Sequence, residues 1–135
     1  MEKNLWKSLN KIAKTRSLFM MRLETTTING VPDVFCCIKG KSFFIELKAN
    51  DDKKLNLSKY QILWQIDYLK AGGNVFNLVL ALSQRELKLV KIVPSLYSFC
   101  SGYVPEVERF DLIASKKYTL ENLGSIINSA TDSCH

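Results

Sequence analysis

The stretch that decides the fold is Val31–Ala49, VPDVFCCIKGKSFFIELKA. Its first half, Val34–Ile38, is almost wholly apolar, which suits a central strand buried on both faces. Residues 39–41, KGK, predict a tight reversal, and Ser42–Lys48 predicts a second strand that completes a β-hairpin. Pro32 stands at the start of the first strand, where its missing N–H is tolerated.

The second strand of this hairpin sorts its side chains by chemistry. Strand side chains alternate, so Glu46 and Lys48 point to one face of the sheet. Ile45 and Leu47 point to the other face, toward the core. Asp33 lies at the start of the paired strand, and the hairpin can bring it beside Glu46. Two carboxylates then converge with one ammonium group.

A pair of carboxylates with a lysine suits the hydrolysis of a phosphodiester bond. Hard oxygen ligands favour Mg²⁺, for which Mn²⁺ can substitute, and Mg²⁺ binds carboxylates together with water and phosphate. The metal acidifies a bound water and polarises the phosphoryl group. Lys48 would orient or deprotonate that water, or stabilise developing negative charge. A Glu-x-Lys triplet alone is more often a surface ion pair, so the wider context decides.

Hydrophobic periodicity and turn residues predict the remaining elements. A helix is expected over residues 3–14, and residues 17–24 continue it or begin a strand. The predicted helix over 59–70 has Ser58 as its N-cap and is stopped by the glycines of residues 71–73. The further predicted segments are a strand or turn at 25–30, a polar loop at 50–56, strands at 74–82 and 86–93, a short helix near 95–100, a loop through Pro105, and a helix near 119–128.

Length and charge set the class of the protein. The chain has 135 residues, of which 47% are hydrophobic, and this suits one globular domain. We expect a core over about residues 24–93, the N-terminal helix 3–14 in front, and a C-terminal helical segment over 95–135. Alternating elements predict an α/β fold with a central mixed sheet flanked by helices. A formal charge of +6 favours a polyanionic partner.

Several classes of site and location are disfavoured. Cys36 and Cys37 form no CxxC motif and are interpreted as small buried hydrophobes. The single histidine is the last residue, His135, so chemistry that needs a positioned histidine is disfavoured. No stretch has the length of a membrane span or a signal peptide. We expect a cytoplasmic protein that is not secreted and has no membrane partner.

Four separate pieces of the sequence follow the order of a known family: Gly30–Asp33, Phe44–Ala49, Leu57–Gln61 and Ala71–Gly73. Together they resemble the PD-(D/E)xK nuclease superfamily, and within it VRR-NUC and Holliday-junction-resolvase-like nucleases of the kind that phages carry. The resemblance covers about Gly30–Val93 and the helix in front of it. It implies a three-layer-like restriction-endonuclease fold, and a host-cell cytoplasmic location if a phage encodes the protein.

The same resemblance assigns roles to individual residues. It implies that Asp33 and Glu46 are metal ligands and that Lys48 is the catalytic lysine. It also implies that the carbonyl of Leu47 completes the coordination. Gln61 would match a glutamine that supports the site or touches the DNA backbone, and its alternative is a solvated helix residue.

The family usually adds an acidic residue from its N-terminal helix. Two candidates compete for this position. Glu2 fits the helix better but lies at the chain end, where fraying is common. Glu24 lies closer in sequence to Asp33, and we favour it slightly as the additional metal ligand.

Basic residues that flank the site in sequence are candidates for DNA contact. Such side chains bind phosphates and position a duplex without reading bases. The lysine stripe of the first helix is equally well interpreted as a solvated face. The candidates are Lys3, Lys7, Lys11, Arg16, Arg22, Lys53 and Lys54.

The leading hypothesis is a Mg²⁺-dependent DNA endonuclease. The resemblance implies branched DNA, such as a four-way junction, as substrate, and a homodimer would suit paired cuts. One alternative is a nuclease that acts on ordinary duplex in restriction, repair or intron homing. Others are a catalytically silent nucleic-acid-binding module on the same fold, and a structural protein whose Glu46–Lys48 pair is a surface ion pair. The intact Asp33, Glu46 and Lys48 argue against the silent module.

Overall fold

A computed structural model describes residues 2–24, 28–50, 55, 57–83, 85–93 and 110–135. The side chains of Glu2, Lys3 and Asn50 lie outside this description. The predicted short helix near 95–100, the loop through Pro105 and most of the predicted loop at 50–56 lie outside it as well.

The described residues form a six-stranded mixed sheet with three helices. The elements are α1 (Glu2–Arg16), β1 (Phe19–Arg22), β2 (Val34–Ile38), β3 (Lys41–Asn50), α2 (Lys59–Lys70), β4 (Val75–Ala81), β5 (Glu86–Ile92), β6 (Phe110–Lys117) and α3 (Leu120–Asp132). The strand order is β1-β2-β3-β4-β5-β6, and only β3 and β4 pair in parallel. This confirms the predicted α/β fold with a central mixed sheet. None of these three helices is long and apolar enough to cross a membrane.

The predicted hairpin is present, and its turn fixes the strand register. Lys39 and Gly40 both have positive φ, 53° and 77°, which is the pattern of a type I′ two-residue turn. Val34 consequently pairs with Ile45. Continuing this register by one residue places Asp33 opposite Glu46.

One face of the sheet is covered by α1 and α3 and is called here the α1/α3 face. Leu5 and Leu9 of α1 and Ile126 of α3 are fully buried against it. Ile45 and Leu47 of β3 belong to the same apolar cluster. The prediction that these two strand residues face the core is therefore confirmed.

The opposite face is covered by α2 and is called here the α2 face. Ile62 and Ile66 of α2 pack with Val79 and Val90 in a second apolar cluster. Strand β4 is one of the two central strands, and six of its seven residues are buried. The expectation that β2 is buried on both faces is wrong, because its residues alternate between buried and half-buried. This strand lies second from the sheet edge, and its half-buried side chains face away from α1 and α3.

The C-terminal segment departs from its helical prediction. Phe110–Lys117 forms strand β6, which pairs with β5 from Phe110↔Ile92 to Glu86↔Lys117. The segment FDLIASKK shows neither a clean helical nor a clean strand period of apolar residues. In the structure most of its side chains are exposed or half-buried. Pairing with β5 therefore determines its conformation. The helix predicted near 119–128 is present as α3, and Thr119 is its N-cap.

The segment that could continue the first helix or begin a strand forms β1. Helix α1 ends at Arg16, and Ser17 takes a positive φ of 54° that turns the chain back. The N–H of Leu18 closes this turn by donating to the carbonyl of Ala13 at 2.8 Å. Strand β1 then pairs antiparallel with β2 and forms one edge of the sheet.

Candidate active site

Asp33 is held at both its backbone and its side chain. Its carbonyl accepts a hydrogen bond from the N–H of Leu23 at 2.7 Å. Its carboxylate oxygen Oδ2 accepts from the N–H of Leu47 on β3 at 2.8 Å. The carboxylate is thus fixed beside the middle of β3, at the point where β2 begins.

Gly30 brings the loop that carries Asp33 against the start of α2. Its φ is +88°, a region that side chains disfavour. A Cβ atom at this position would lie 2.2 Å from the carbonyl oxygen of Tyr60, which is a backbone atom. Only glycine therefore permits this close approach of the loop to α2. This requirement explains why the GVPD motif begins with glycine.

Glu46 is the buried carboxylate of the site, with 2% of its surface exposed. Its Oε2 accepts a hydrogen bond from Nε2 of Gln61 at 2.9 Å. The Nζ atom of Lys48 lies 4.0 Å from the same oxygen. Burial of a carboxylate is strongly unfavourable unless it is paired and hydrogen-bonded, and these two side chains supply both.

Gln61 links this carboxylate to the first turn of α2. It forms a capping box with Ser58: the Gln61 Oε1 accepts from the Ser58 N–H at 2.9 Å, and the Ser58 Oγ accepts from the Gln61 N–H at 3.2 Å. With Oε1 committed to the cap, Nε2 is the end of the amide that reaches Glu46. The structure thus places Gln61 in contact with a site carboxylate, which differs from a solvated helix residue.

For the additional acidic residue, the structure differs from the sequence prediction. Glu24 is exposed and lies two residues beyond the end of β1. Within the described part of the chain, no three side chains of His, Cys, Asp or Glu gather in a metal-binding group. Glu24 therefore does not join Asp33 and Glu46 in this structure. Glu2 lies in α1, and its side chain is outside the described residues.

The basic residues proposed for DNA contact are also distributed differently from the expectation. Lys7, Lys11 and Arg16 are exposed on α1, which packs on the face of the sheet opposite Glu46 and Lys48. The guanidinium of Arg16 lies against Gly124 of α3. Arg22, at the end of β1, is half-buried. The side chain of Lys3 and the residues Lys53 and Lys54 lie outside the described residues.

Sequence reasoning missed two polar residues that lie next to the site. Gln65 of α2 and Asn77 of β4 are fully buried and hydrogen-bonded to each other. Asn77 pairs in register with Glu46 on the neighbouring strand. The signal was present, because Asn77 interrupts the apolar run of residues 75–82 and Gln65 lies one helical turn after Gln61.

Comparisons with known proteins agree with this fold. A model of the archaeal Holliday junction resolvase family, Hjc, matches residues 7–102. The chain also resembles the solved structure of Hjc, a Holliday junction resolvase from the archaeal hyperthermophile Archaeoglobus fulgidus. That match has a TM-score of 0.52 and 11% sequence identity and covers 90% of this chain and 92% of that chain. At this identity the likeness shows the fold alone. Among curated proteins, none matches the sequence.

The family match extends over well more than half of the chain and includes the hairpin and the α2 helix. It thereby contains the four residues that the structure brings together, which are Asp33, Glu46, Lys48 and Gln61. The chain therefore belongs to the archaeal Holliday junction resolvase family, a family of nucleases.

Proposed function

We propose that this protein is a metal-dependent endonuclease that cuts branched DNA, with a four-way junction as its substrate. The observation that carries the proposal is the bond of the Asp33 carboxylate to the N–H of Leu47, which lies between the paired residues Glu46 and Lys48 on β3. Family membership supports the branched substrate. The finer likeness to phage-borne VRR-NUC nucleases is also a proposal, and it rests on the motif order alone.

The donor set beside β3 fits a hard divalent cation such as Mg²⁺. Asp33 and Glu46 offer carboxylate oxygens, which are the ligands that this class of ion prefers. The carbonyl of Leu47 points to the same side of its strand as the N–H that Asp33 accepts. One or two carboxylates suffice for Mg²⁺, because water and substrate phosphate complete its coordination. When bound, the ion would polarise the scissile phosphate and acidify a water.

The side chains of the protein have separate tasks in this proposal. Lys48 keeps its ammonium group beside Glu46, with 18% of its side chain exposed, so it can also reach a phosphate oxygen or the attacking water. Asp33 is held in place by the N–H of Leu47. Gln61 holds the Glu46 carboxylate in one orientation. The contacts of the two carboxylates are thus formed before substrate arrives, which favours catalysis.

Cleavage of end-labelled DNA tests the proposal directly. The panel holds a four-way junction, a flap, a linear duplex and a single strand, each with Mg²⁺, Mn²⁺ or EDTA, and Lys48→Ala is assayed beside wild type. We expect metal-dependent cutting of the junction that is lost in Lys48→Ala. Equal cutting of linear duplex would indicate a duplex nuclease instead. Binding without cutting in any metal would indicate a silent module.

We also propose that the active form is a homodimer that buries an aromatic surface of the α2 face. Four aromatic rings form a continuous row on this surface. The ring centroids are 6.3 Å apart for Phe19 and Phe35, 5.2 Å for Phe35 and Phe44, and 5.1 Å for Phe44 and Trp64. Phe19 is 56% exposed. The other three rings are half-buried. A contiguous apolar surface that is partly exposed suits an interaction site. A second copy would bury it by two-fold symmetry and would supply the second active site that paired cuts need.

The oligomeric state of a matched pair of variants tests this interface. Phe19→Ser removes a side chain of the aromatic surface, and Leu112→Ser removes an equally exposed one from β6, both being 56% exposed in the wild type. In sedimentation experiments we expect wild type and Leu112→Ser to be dimers and Phe19→Ser to shift toward monomer. A monomeric wild type, or dimers of equal affinity in all three, would refute the interface.

A further inference from the structure

Gln65 and Asn77 form a closed pair of amides between α2 and β4. The Nε2 of Gln65 donates to the Oδ1 of Asn77 at 2.8 Å, and the Nδ2 of Asn77 donates to the Oε1 of Gln65 at 2.9 Å. Both residues have an exposed fraction of 0%. Each amide therefore presents both its donor and its acceptor to the other, away from water.

Stability alone does not account for this pair. Two buried amides gain little net free energy from bonding each other, because both lose hydrogen bonds to water. Apolar side chains of the same shape are often as stable or more stable in such positions. What a directional pair adds is specificity, since its hydrogen bonds form in one register only.

The location of the pair connects it to the active site. Asn77 is the register partner of Glu46, so their side chains lie side by side on the α2 face. Gln65 lies four residues after Gln61, which is about 6 Å along the helix axis. Neighbouring strands are about 4.8 Å apart. The bonds Gln61–Glu46 and Gln65–Asn77 are thus two adjacent hydrogen-bonded links between α2 and the sheet.

We propose that the Gln65–Asn77 pair is a positioning pair for the active site. It fixes the rotation and the height of α2 over the sheet, so that Nε2 of Gln61 reaches the Glu46 carboxylate. Ile62 and Ile66 of α2 pack on the sheet through apolar contacts, and apolar packing does not fix a register so strictly. The catalytic consequence rests on the nuclease function proposed above, whereas the structural consequence does not.

Two double variants separate positioning from simple packing. Gln65→Met/Asn77→Leu replaces both amides by apolar side chains of similar length and removes the hydrogen bonds of the pair. Gln65→Asn/Asn77→Gln exchanges the two amides and keeps their donors, their acceptors and their combined length. We expect both variants to fold, and the apolar one to resist urea as well as wild type does. Failure of the apolar variant to fold would overturn the proposal, because the pair would then be a requirement for stability.

The first readout needs neither metal nor DNA. The side-chain NH₂ resonances of Gln61 in ¹H–¹⁵N spectra report its bond to Glu46. We expect them to move toward the position of a solvated amide in the apolar variant and to stay near the wild-type position in the exchanged variant. Unchanged Gln61 resonances in the apolar variant would overturn the proposal, whether or not the protein is a nuclease.

The second readout is single-turnover cleavage of a four-way junction. Residues that orient a metal ligand typically contribute about 10–100-fold to activity, and we expect a loss of that size in the apolar variant with unchanged junction affinity. In a Gln61→Ala background the same change should cause no further loss, because the pair acts through Gln61. An additive loss would overturn the proposal. A wild type that cuts nothing would refute the nuclease function instead, and the resonances would still decide the positioning role.

Discussion

The two faces of the sheet differ in chemistry although they share every strand. The α1/α3 face carries the larger apolar cluster, to which β2, β3, β4 and β5 contribute buried aliphatic and aromatic side chains. The α2 face carries a smaller apolar cluster. It also carries the buried polar residues Glu46, Gln65 and Asn77 and the exposed aromatic ring of Phe19.

This difference shows how one strand can serve stability and chemistry together. Along β3, Ile45 and Leu47 enter the apolar cluster of the α1/α3 face, while Glu46 and Lys48 lie between them on the other side. Apolar burial on one face stabilises the strand. The opposite face can then hold side chains that are unfavourable to bury. Substitutions at adjacent positions should therefore have effects of different kinds.

The largest expected effect is on the α2 face. Glu46→Gln keeps the shape of the side chain and removes its charge, so it should weaken metal binding. We expect junction cleavage to fall by about 10³-fold or more, because a catalytic metal contributes several kcal/mol to transition-state stabilisation. Without metal the unfolding free energy should stay equal or rise, since a buried charge is removed. Cleavage rates and urea unfolding measure the two effects, and a variant that is both active and unstable would contradict the separation of the faces.

The neighbouring residue should show the opposite behaviour. Ile45 is fully buried in the cluster of the α1/α3 face. Ile45→Ala should lower the unfolding free energy by about 2–5 kcal/mol, and Ile45→Val by about 0.5–1.5 kcal/mol. Folded protein assayed well below its melting temperature should still cut at the wild-type rate. A loss of cleavage in Ile45→Val without a loss of stability would show that this face also shapes the site.

The sequence predicts those parts of the fold that depend on local chemistry. The tight reversal at residues 39–41, the cap at Ser58 and the stop at residues 71–73 each follow from the conformational preference of a residue type. Strand β6 could not be found this way, because its conformation depends on pairing with β5. The relative burial of β2 and β4 depends on which strands α2 covers. The local sequence pattern of a strand does not predict which helix will cover it.

The candidate site shows the same limit. Asp33, Glu46 and Lys48 could be grouped from the hairpin register, since side-chain alternation and a two-residue turn determine their faces. Gln61 was placed by resemblance, and its bond to Glu46 depends on the capping box that orients its amide. The basic residues of α1 were grouped with the site by sequence distance. Helix α1 packs on the other face of the sheet, and nearness in sequence could not show this.

A smaller effect is expected at the loop that carries Asp33. Gly30→Ala would place a methyl group 2.2 Å from the Tyr60 carbonyl oxygen, so the loop or α2 must move. A displacement of about 1 Å at a catalytic group can reduce the rate about 10²-fold, and we expect a loss of that order in junction cleavage. Gly40→Ala is the matched control, because Gly40 also has positive φ but no atom lies within 4 Å of the added carbon. Gly40→Ala should lower stability by about 1–2 kcal/mol and leave cleavage unchanged.

Two adjacent cysteines can serve as reporters of the two faces. Cys36 is buried on the α1/α3 face, whereas Cys37 is half-buried on the α2 face. Burial raises the pKa of the Cys36 thiol to about 12, and the neighbouring thiols of Cys134 and Cys37 add to the rise. Compared with a thiol of pKa 9.0, Cys36 therefore forms about a thousandfold less thiolate at pH 8, and thiolate is the reactive form.

Variants that retain only Cys36 or only Cys37 allow the two rates of alkylation by iodoacetamide to be measured separately. In native protein at pH 8 we expect Cys37 to react and Cys36 to stay largely unmodified. The rate at Cys36 should rise as the pH approaches 12, because each step in pH increases its thiolate fraction. In urea the two rates should become equal, since burial is lost. Equal rates in native protein would mean that α1 and α3 do not close their face of the sheet, and the division of β3 between stability and chemistry would lose its physical basis.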